Sequence, residues 1–262
     1  MKRLISAAMM IGALAVVPSG GQAAPAPAKT TTIVLVHGAF AGSSSWNQVV
    51  SGLEADGYKV VAAANPLRTL KTDADYVARI VHNIPGPVVL VGHSYGGEVI
   101  SVAAYGAKNV KGLVFVAGLA PAAGESAGSL GAKFPTGTLG QALAPPVPQA
   151  NGAQDLYIAQ DKYWSQFAAD VPKAQAMQMA ATQRPITEGA LNEPAGLPGW
   201  KTIPSWFIWG SADKNIPSAL HAYMARRAKG REAIELKGAS HSVMVSHPRE
   251  VTALIERAAG AK

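Results

Sequence analysis

The sequence predicts an α/β protein in which helices cover both faces of a doubly wound, mostly parallel sheet of about six strands. Short runs rich in β-branched residues alternate along the chain with longer segments of helical character. Hydrophobic residues make up 48% of the chain and charged residues only 15%. This balance is typical of a sheet that is buried on both faces.

The alternation predicts each element in order. The expected strands are 32–37, 58–63, 87–92, 111–117, 203–209 and 232–236, and the expected helices are 45–56, 72–83, 96–106, 216–228 and 248–259. An insert at about 120–200 interrupts the alternation. Its first part, 120–152, is rich in Gly, Pro and Ala and is expected to be a loop. Segments 161–169 and 172–183 are expected to be two helices that cap the carboxyl edge of the sheet.

The amino terminus predicts export. A basic start, Met1-Lys2-Arg3, precedes an apolar run at 4–17, and small residues lead to a cleavage site after Ala23. The run is too short for a stable membrane span of ~20 residues, although a retained anchor is the alternative. The predicted location is therefore periplasmic or secreted.

The chain is expected to divide into three parts: a signal peptide at 1–23, a disordered tether at 24–30, and one α/β domain at 31–262 that carries the insert. It contains no cysteine, so its stability must come from the core. The formal net charge is +7, and several of the cations cluster at the end of one expected helix, 216–228, where they complement the helix dipole. No aromatic residues interleave with them, so a nucleic-acid partner is not expected.

Residues 88–97 are the most informative stretch. An apolar strand runs into Gly92-His93-Ser94-Tyr95-Gly96, which matches G-x-S-x-G, and a helical run of small apolar residues follows. A serine on such a turn has a strained backbone and an exposed hydroxyl. The glycines are expected because strand and helix pass too close for a Cβ. The motif is common by chance, but in this context it predicts Ser94 as a nucleophile.

A nucleophilic serine also needs N–H donors for the oxyanion. The strand at 32–37 ends in His37-Gly38, and a loop rich in Gly and Ser follows. In enzymes with this arrangement, one donor comes from that loop and the other from the residue after the nucleophile. We therefore predict the N–H groups of Ala39 and Tyr95 as the donors. The alternative is that His37-Gly38 is a simple turn.

The acid and the base are expected later in the chain. Asp213 follows the strand at 203–209, at the carboxyl edge where open parallel sheets bind ligands. His241 lies in the loop after the last expected strand, a position that the other five histidines lack. The sequence thus predicts Asp213 as the acid and His241 as the base. Glu125 is the competing acid, and a turn aspartate that bonds its own backbone is the alternative for Asp213.

Four segments together resemble the α/β-hydrolase superfamily, in the form of a compact serine esterase. They are 34–40, 91–97, 209–213 and 238–241. The His-Gly-Ala start is also similar to the plant methylesterase and hydroxynitrile-lyase branch. The resemblance covers roughly 31–119 and 201–259. These motifs are specific to the superfamily and not to a substrate.

The resemblance implies the α/β-hydrolase fold, with Ser94 as nucleophile, His241 as base and Asp213 as acid. The chain order of these three residues is the order that this fold uses. The resemblance also implies Ala39 and Tyr95 as the oxyanion hole. The haloalkane dehalogenase and epoxide hydrolase branches have aspartate at the strand-to-helix turn, the nucleophile elbow, where this chain has Ser94, which argues against both.

The insert is expected to carry most of the substrate contacts. Trp164, Phe167 and Met177 supply aromatic and thioether surface that accepts apolar or aryl groups. Phe40, beside the oxyanion donors, completes the predicted substrate-binding set. The alternative is that the insert residues only attach the cap to the domain. We expect the cap to set substrate choice and the sheet to carry the chemistry.

No metal-binding motif, dinucleotide fingerprint or phosphate loop is present in the sequence, so the predicted chemistry uses no cofactor and no metal. The prediction is a secreted enzyme that cleaves a carboxylic ester, lactone or thioester of an apolar or aryl small molecule through an acyl-enzyme on Ser94. The alternative is a small-molecule binding protein or a lyase on the same scaffold. Stable membrane insertion after signal cleavage is not expected, and the sequence does not set the oligomeric state.

Overall fold

The computed structural model describes residues 29–261. The expected signal peptide at 1–23 and residues 24–28 of the expected tether lie outside them. The strands are β1 Thr32–Val36, β2 Lys59–Ala63, β3 Val88–His93, β4 Val110–Val116, β5 Val147–Pro148, β6 Gln154–Leu156, β7 Ile186–Thr187, β8 Ser205–Gly210 and β9 Glu232–Leu236.

The helices follow the strands in the expected alternation. They are α1 Asn47–Ala55, α2 Leu70–His82, α3 Tyr95–Ala103, α4 Ala127–Lys133, α5 Leu139–Ala142, α6 Gln160–Phe167, α7 Lys173–Thr182, α8 Glu188–Asn192, α9 Ser218–Arg227, α10 Val243–Ser246 and α11 Pro248–Gly260, with 3₁₀ turns at Ser43–Trp46 and Gly199–Lys201. In the part of the chain that the structure describes, none of these helices has the length and apolar character needed to cross a membrane.

The central sheet confirms the predicted fold class. Its six strands lie in the order β2-β1-β3-β4-β8-β9, and every neighbouring pair is parallel. Parallel strands need crossover connections, which the helices supply on both faces.

Each face of the sheet supports its own core. Val34, Leu90 and Phe115 point to one face, where α2, α3 and α9 pack together with the insert. Their chain neighbours, such as Leu35 and Val91, point to the opposite face, where α1 and α11 pack. Side chains alternate along a strand, so a strand buried on both faces must be apolar at nearly every position.

The insert is more structured than the sequence predicts. The expected loop at 120–152 contains two short helices, α4 and α5, and the strand β5. β5, β6 and β7 form a small antiparallel sheet. A capping box between Ser126 and Ser129 starts α4, and the buried side chain of Leu130 holds it against the core. Strands of two or three residues are too short to show a period of two in the sequence.

Candidate active site

The sheet order places the ends of β1 and β3 side by side, at the point where the winding reverses. β1 continues to β2 on one side of the sheet, and β3 continues to β4 on the other. The following helices, α1 and α3, pack on opposite faces. A crevice opens at such a switch point, beyond the carboxyl ends of the strands. The loop after β1 and the turn at Ser94 both lie there.

Ser94 occupies a strained turn between β3 and α3. Its backbone has φ 53° and ψ −125°, a conformation that costs a non-glycine residue about 1–3 kcal/mol. The turn is held by the Ser94 carbonyl, which accepts the N–H groups of Gly97 at 2.9 Å and Leu119 at 3.0 Å. A Cβ at Gly92 would lie closer than 3.0 Å to backbone atoms of Gly96. Strand and helix therefore leave no room for a side chain there.

The loop after β1 packs directly against this turn. A Cβ at Gly38 would lie 2.6 Å from the Cβ of Ser94 and 3.1 Å from the backbone N of Tyr95. The Tyr95 hydroxyl donates to Oδ2 of buried Asp73 at 3.0 Å, which fixes the first turn of α3. Within residues 29–261, the backbone N–H groups of Ala39 and Tyr95 have no hydrogen-bond partner. Two unpaired donors beside a serine are what an oxyanion hole requires.

Asp213 and His241 are in direct contact. Asp213 follows β8, and its Oδ2 accepts a hydrogen bond from Nδ1 of His241 at 2.6 Å. Its Oδ1 accepts the backbone N–H groups of Asn215 at 2.8 Å and Ile216 at 3.0 Å. Burial by itself raises the pKa of Asp213, but the charge and hydrogen-bond interactions with the imidazoles of His241 and His221 outweigh burial and hold that pKa well below its usual range. Asp213 is therefore an anion.

A second histidine, His221 on α9, also contacts Asp213. Its Nε2 lies 3.2 Å from Oδ2, and its side chain is 2% exposed. From the sequence, His221 is expected to be a packing or surface residue of the helix at 216–228. Its position eight residues after Asp213, on the first turn of the next helix, is the signal that could have found it.

His241 is almost fully buried, and residues of the insert contact both its ring and its neighbours in the chain. The ring of Phe167 lies edge-on to the imidazole, with 4.9 Å between centroids. The hydroxyl of Ser242 donates to the Phe167 carbonyl at 2.9 Å, and the hydroxyl of Ser240 donates to Oδ1 of Asp170. The two residues that flank His241 in the chain therefore bond to the end of α6 and to the loop that follows it. This attachment was not predicted.

Nε2 of His241 has no hydrogen-bond partner in the described residues, Ser94 Oγ included. Catalytic hydrogen bonds are often long before substrate binds. Since Nδ1 carries the proton shared with Asp213, Nε2 presents a lone pair. The imidazole is thus held in the tautomer that a general base needs.

The competing candidates lie in other environments. Glu125 pairs with Lys133 at 2.6 Å and with Arg227 at 2.8 Å, and within residues 29–261 it forms no ion pair with a histidine. His93 is buried, and its Nε2 lies 3.1 Å from the His241 carbonyl. Burial and the nearby His241 lower the pKa of His93 well below its usual range. His93 is therefore a neutral packing residue beneath the elbow.

A cavity of about 350 Å³ opens beside Ser94. Its wall is mostly apolar and includes Leu119, Phe134, Leu156 and Leu191, together with Ala39 and Tyr95 of the expected oxyanion hole. Across residues 29–261, no group of three or more histidine or acidic side chains is placed to hold a metal ion.

The predicted substrate-binding residues divide into two pairs. Phe40 and Phe167 line the cavity. Trp164 and Met177, which the sequence analysis places in the same set, lie outside the lining of this cavity. The Trp164 indole donates to the Val171 carbonyl at 3.1 Å, and the Met177 side chain is 41% exposed. Helical spacing predicts either Tyr163 or Trp164 beside Phe167 on one face of α6, and in the structure Tyr163 packs there, at 4.9 Å between ring centroids.

Comparison with known proteins agrees with this arrangement. Residues 33–254 match the model of the alpha/beta hydrolase family. A pyrethroid hydrolase of Sphingobium wenxiniae is 29% identical over 246 residues, covering 86% of this chain and 86% of the relative. Esterase PIR7B of Oryza sativa subsp. japonica is 26% identical over 246 residues, covering 83% and 91%.

The crystal structure of polyneuridine aldehyde esterase has the same fold, with a TM-score of 0.75 at 19% identity over 87% of this chain and 99% of that one. A methylesterase and an alpha-hydroxynitrile lyase of Arabidopsis thaliana, 23% and 24% identical, are also related, which confirms the resemblance to that branch. With most of the chain matched and a parallel sheet wound as the family requires, this protein belongs to the alpha/beta hydrolase family.

Proposed function

We propose that this protein is a serine hydrolase that cleaves a carboxylic ester, lactone or thioester of an apolar or aryl substrate through an acyl-enzyme on Ser94. The observation that carries the proposal is the buried pair of Asp213 and His241, whose Oδ2 and Nδ1 atoms lie 2.6 Å apart. Nε2 of His241 has no hydrogen-bond partner in the described residues. Both residues follow strands at the same edge of the sheet as the strained Ser94. The relatives named as esterases and as a pyrethroid hydrolase support ester hydrolysis.

The proposed reaction uses groups already in place. Ser94 Oγ attacks the carbonyl carbon and passes its proton to Nε2 of His241, while the N–H groups of Ala39 and Tyr95 stabilise the oxyanion. The imidazolium then gives its proton to the leaving alcohol oxygen, and the carbon–oxygen bond of the ester breaks. Water repeats these steps on the acyl-enzyme and releases the acid. Asp213 stays anionic throughout and stabilises the imidazolium.

The cavity supports an apolar substrate. Glu188 is the one charged side chain among the described residues that line it, and no cation lines it. Arg184, the insert cation that could have bound a carboxylate or phosphate, is exposed and lies outside the lining. A site with apolar walls and a carboxylate favours uncharged groups over anions. We therefore propose neutral esters with an aliphatic or aryl acyl group.

The test combines active-site labelling with turnover. A fluorophosphonate probe is expected to label Ser94 in the wild type, and Ser94→Ala is expected to lose both labelling and hydrolysis of p-nitrophenyl esters while it keeps its fold. Ser101→Ala is the matched control, because Ser101 is a buried serine on α3, the helix that follows Ser94, and its hydroxyl has no hydrogen-bond partner within the described residues. Turnover in Ser94→Ala at the wild-type rate would show that the nucleophile is another group.

The same variants separate a hydrolase from a lyase. A lyase would use the serine and the histidine to move protons without forming an acyl-enzyme. Cleavage of a cyanohydrin with no ester turnover and no acylated Ser94 detected by mass spectrometry would favour the lyase.

We also propose that the chain is exported and cleaved after Ala23. Support comes from the pattern of residues 1–23, with a basic start, an apolar run and small residues before the cut. Mass spectrometry of the protein recovered from a bacterial host is expected to find Ala24 at the amino terminus. A full-length chain in the membrane fraction would instead indicate a retained anchor.

A further inference from the structure

The carboxylate of Asp213 is shared among four donors, and this sharing sets how strongly it acts on His241. Oδ1 accepts two backbone N–H groups, from Asn215 and Ile216. Oδ2 lies 2.6 Å from Nδ1 of His241 and 3.2 Å from Nε2 of His221. A carboxylate has about four lone-pair sites. With its side chain 0% exposed, Asp213 is saturated without solvent.

His221 is held so that its Nε2 must face Asp213. Its ring stacks on Trp209, with 5.8 Å between centroids and 21° between planes. The Trp209 indole donates to the Ser218 hydroxyl at 2.9 Å, and that hydroxyl donates to Glu235 at 2.9 Å. Burial lowers the pKa of His221 despite the contact with Asp213. A neutral ring in this position donates its Nε2–H to the carboxylate.

We propose that His221 is a positioning residue for the reaction: by donating to the same Asp213 oxygen as His241, it holds that oxygen in place and limits how strongly the carboxylate stabilises protonated His241. Each hydrogen bond to a carboxylate offsets part of its negative charge. When His221 donates to Asp213, the carboxylate therefore stabilises protonated His241 less strongly, and His241 returns its proton to the leaving group more readily. Without it, Oδ2 serves His241 alone, and the imidazolium is favoured. This role rests on the proposed acyl-enzyme mechanism.

Other ionisable groups face this cluster and stay unchanged in the test. Glu235 on β9 acts electrostatically on His221. His93 at the end of β3 lies against His241, and Asp170 of the insert binds the neighbouring Ser240. The compared variants differ at position 221 alone, so a difference in their pH dependence can be attributed to the side chain at that position.

The experiment compares His221→Met with His221→Gln. The two side chains are unbranched and of similar length, and the amide nitrogen of Gln is as many bonds from Cα as Nε2 of His. Gln therefore keeps the donor and Met removes it. The pH profile of kcat/KM for a p-nitrophenyl ester is expected to show the acid limb of the Met variant about 0.5–1 pH unit above wild type. The Gln variant is expected to restore the wild-type limb.

A second measurement does not depend on turnover. The downfield ¹H NMR signal of the Nδ1 proton shared by His241 and Asp213 can be titrated in all three proteins, and its midpoint is expected to move as the kinetic limb does. Equal shifts in the Met and Gln variants, or no shift in either, would overturn the proposal and leave His221 a packing residue. Absence of ester turnover in a wild type that still shows the NMR differences would refute the proposed function and not this role of His221.

Discussion

Replacing Asp213 by Asn is the perturbation whose outcome the structure defines most closely. Oδ1 faces the backbone N–H groups of Asn215 and Ile216, and Oδ2 faces two imidazole nitrogens. The amide of Asn must place its oxygen on one side and its NH₂ on the other. Backbone N–H groups cannot become acceptors, whereas an imidazole can change tautomer. The oxygen is therefore expected at the Oδ1 site and the NH₂ at the Oδ2 site.

This orientation reverses the hydrogen bond to His241. Nδ1 must then accept from the amide, so the proton moves to Nε2, the atom that has to accept the serine proton. A base held in the wrong tautomer costs about 10⁴ in kcat, or about 5.5 kcal/mol of activation free energy at 1.36 kcal/mol per tenfold. The alternative amide orientation leaves the N–H groups of Asn215 and Ile216 unpaired, at about 1–3 kcal/mol for the buried Ile216 group.

The assay is steady-state hydrolysis of a p-nitrophenyl ester by Asp213→Asn, with circular dichroism to verify folding. Glu125→Gln is the control for the competing acid. We expect it to change kcat by only a few-fold, because the ion-pair partners of Glu125 are Lys133 and Arg227. An Asn variant that keeps more than a tenth of wild-type kcat would refute the reasoning. A larger loss in Glu125→Gln would move the acid to that residue.

Three further predictions concern the cavity, the core and the insert. Leu191 lies in the cavity wall, so Leu191→Ala is expected to change kcat/KM for long acyl esters by about 10–200-fold and to change kcat/KM for acetate esters little. Met177 is exposed, and Met177→Ala is expected to change neither value. Equal losses for all esters in Leu191→Ala would show that the acyl group binds elsewhere. Burial raises the pKa of Glu98 well above its usual range, so its contribution to stability is present below about pH 4.3 and is lost as pH rises through the folded-state pKa. Glu98→Gln should therefore raise Tm at pH 8 and have little effect at pH 4, and a Tm gain independent of pH would contradict this. Asp170→Ala should lower the free energy of unfolding by up to about 1.5–3 kcal/mol, the scale of a hydrogen bond to a charged group, because Ser240 loses its charged acceptor and keeps only the longer hydrogen bond to the Phe167 carbonyl, at 3.4 Å. Unchanged urea denaturation would show that the bond to Asp170 contributes nothing.

The parts of the site that sequence predicted are those set by short local patterns. Ser94 is identified by the glycines around it, and the structure shows why each glycine is needed. Ala39, Asp213 and His241 each follow a strand of the parallel sheet. In such a sheet all strands point the same way, so residues at their ends converge without any knowledge of side-chain contacts.

The parts that sequence missed depend on packing between distant elements. His221 contacts Asp213 because α9 docks on the face of β8 with that side turned inward, and amphipathic spacing alone does not reveal it. Trp164 and Phe167 are equally plausible cleft residues by type and spacing. The packing of the insert on the sheet determines which of them faces the cavity. Contacts such as the hydrogen bond from the Tyr163 hydroxyl to the Phe40 carbonyl, at 2.8 Å, fix that packing.

The sequence predicts that the cap sets substrate choice and the sheet carries the chemistry, but in the structure one cap residue contacts both the cavity and the expected base. Phe167 lines the cavity, yet its ring packs on His241 and its carbonyl accepts the Ser242 hydroxyl. A substitution at Phe167 that enlarges the cavity would therefore also loosen the base, and lower kcat for small and large esters alike. Leu191 lies on α8, whose main packing partners are α4, β6 and β7. Under the proposed function, we expect substitutions on the α8 side of the cavity to change substrate range alone, and substitutions on the α6 side to change both substrate range and the chemical step.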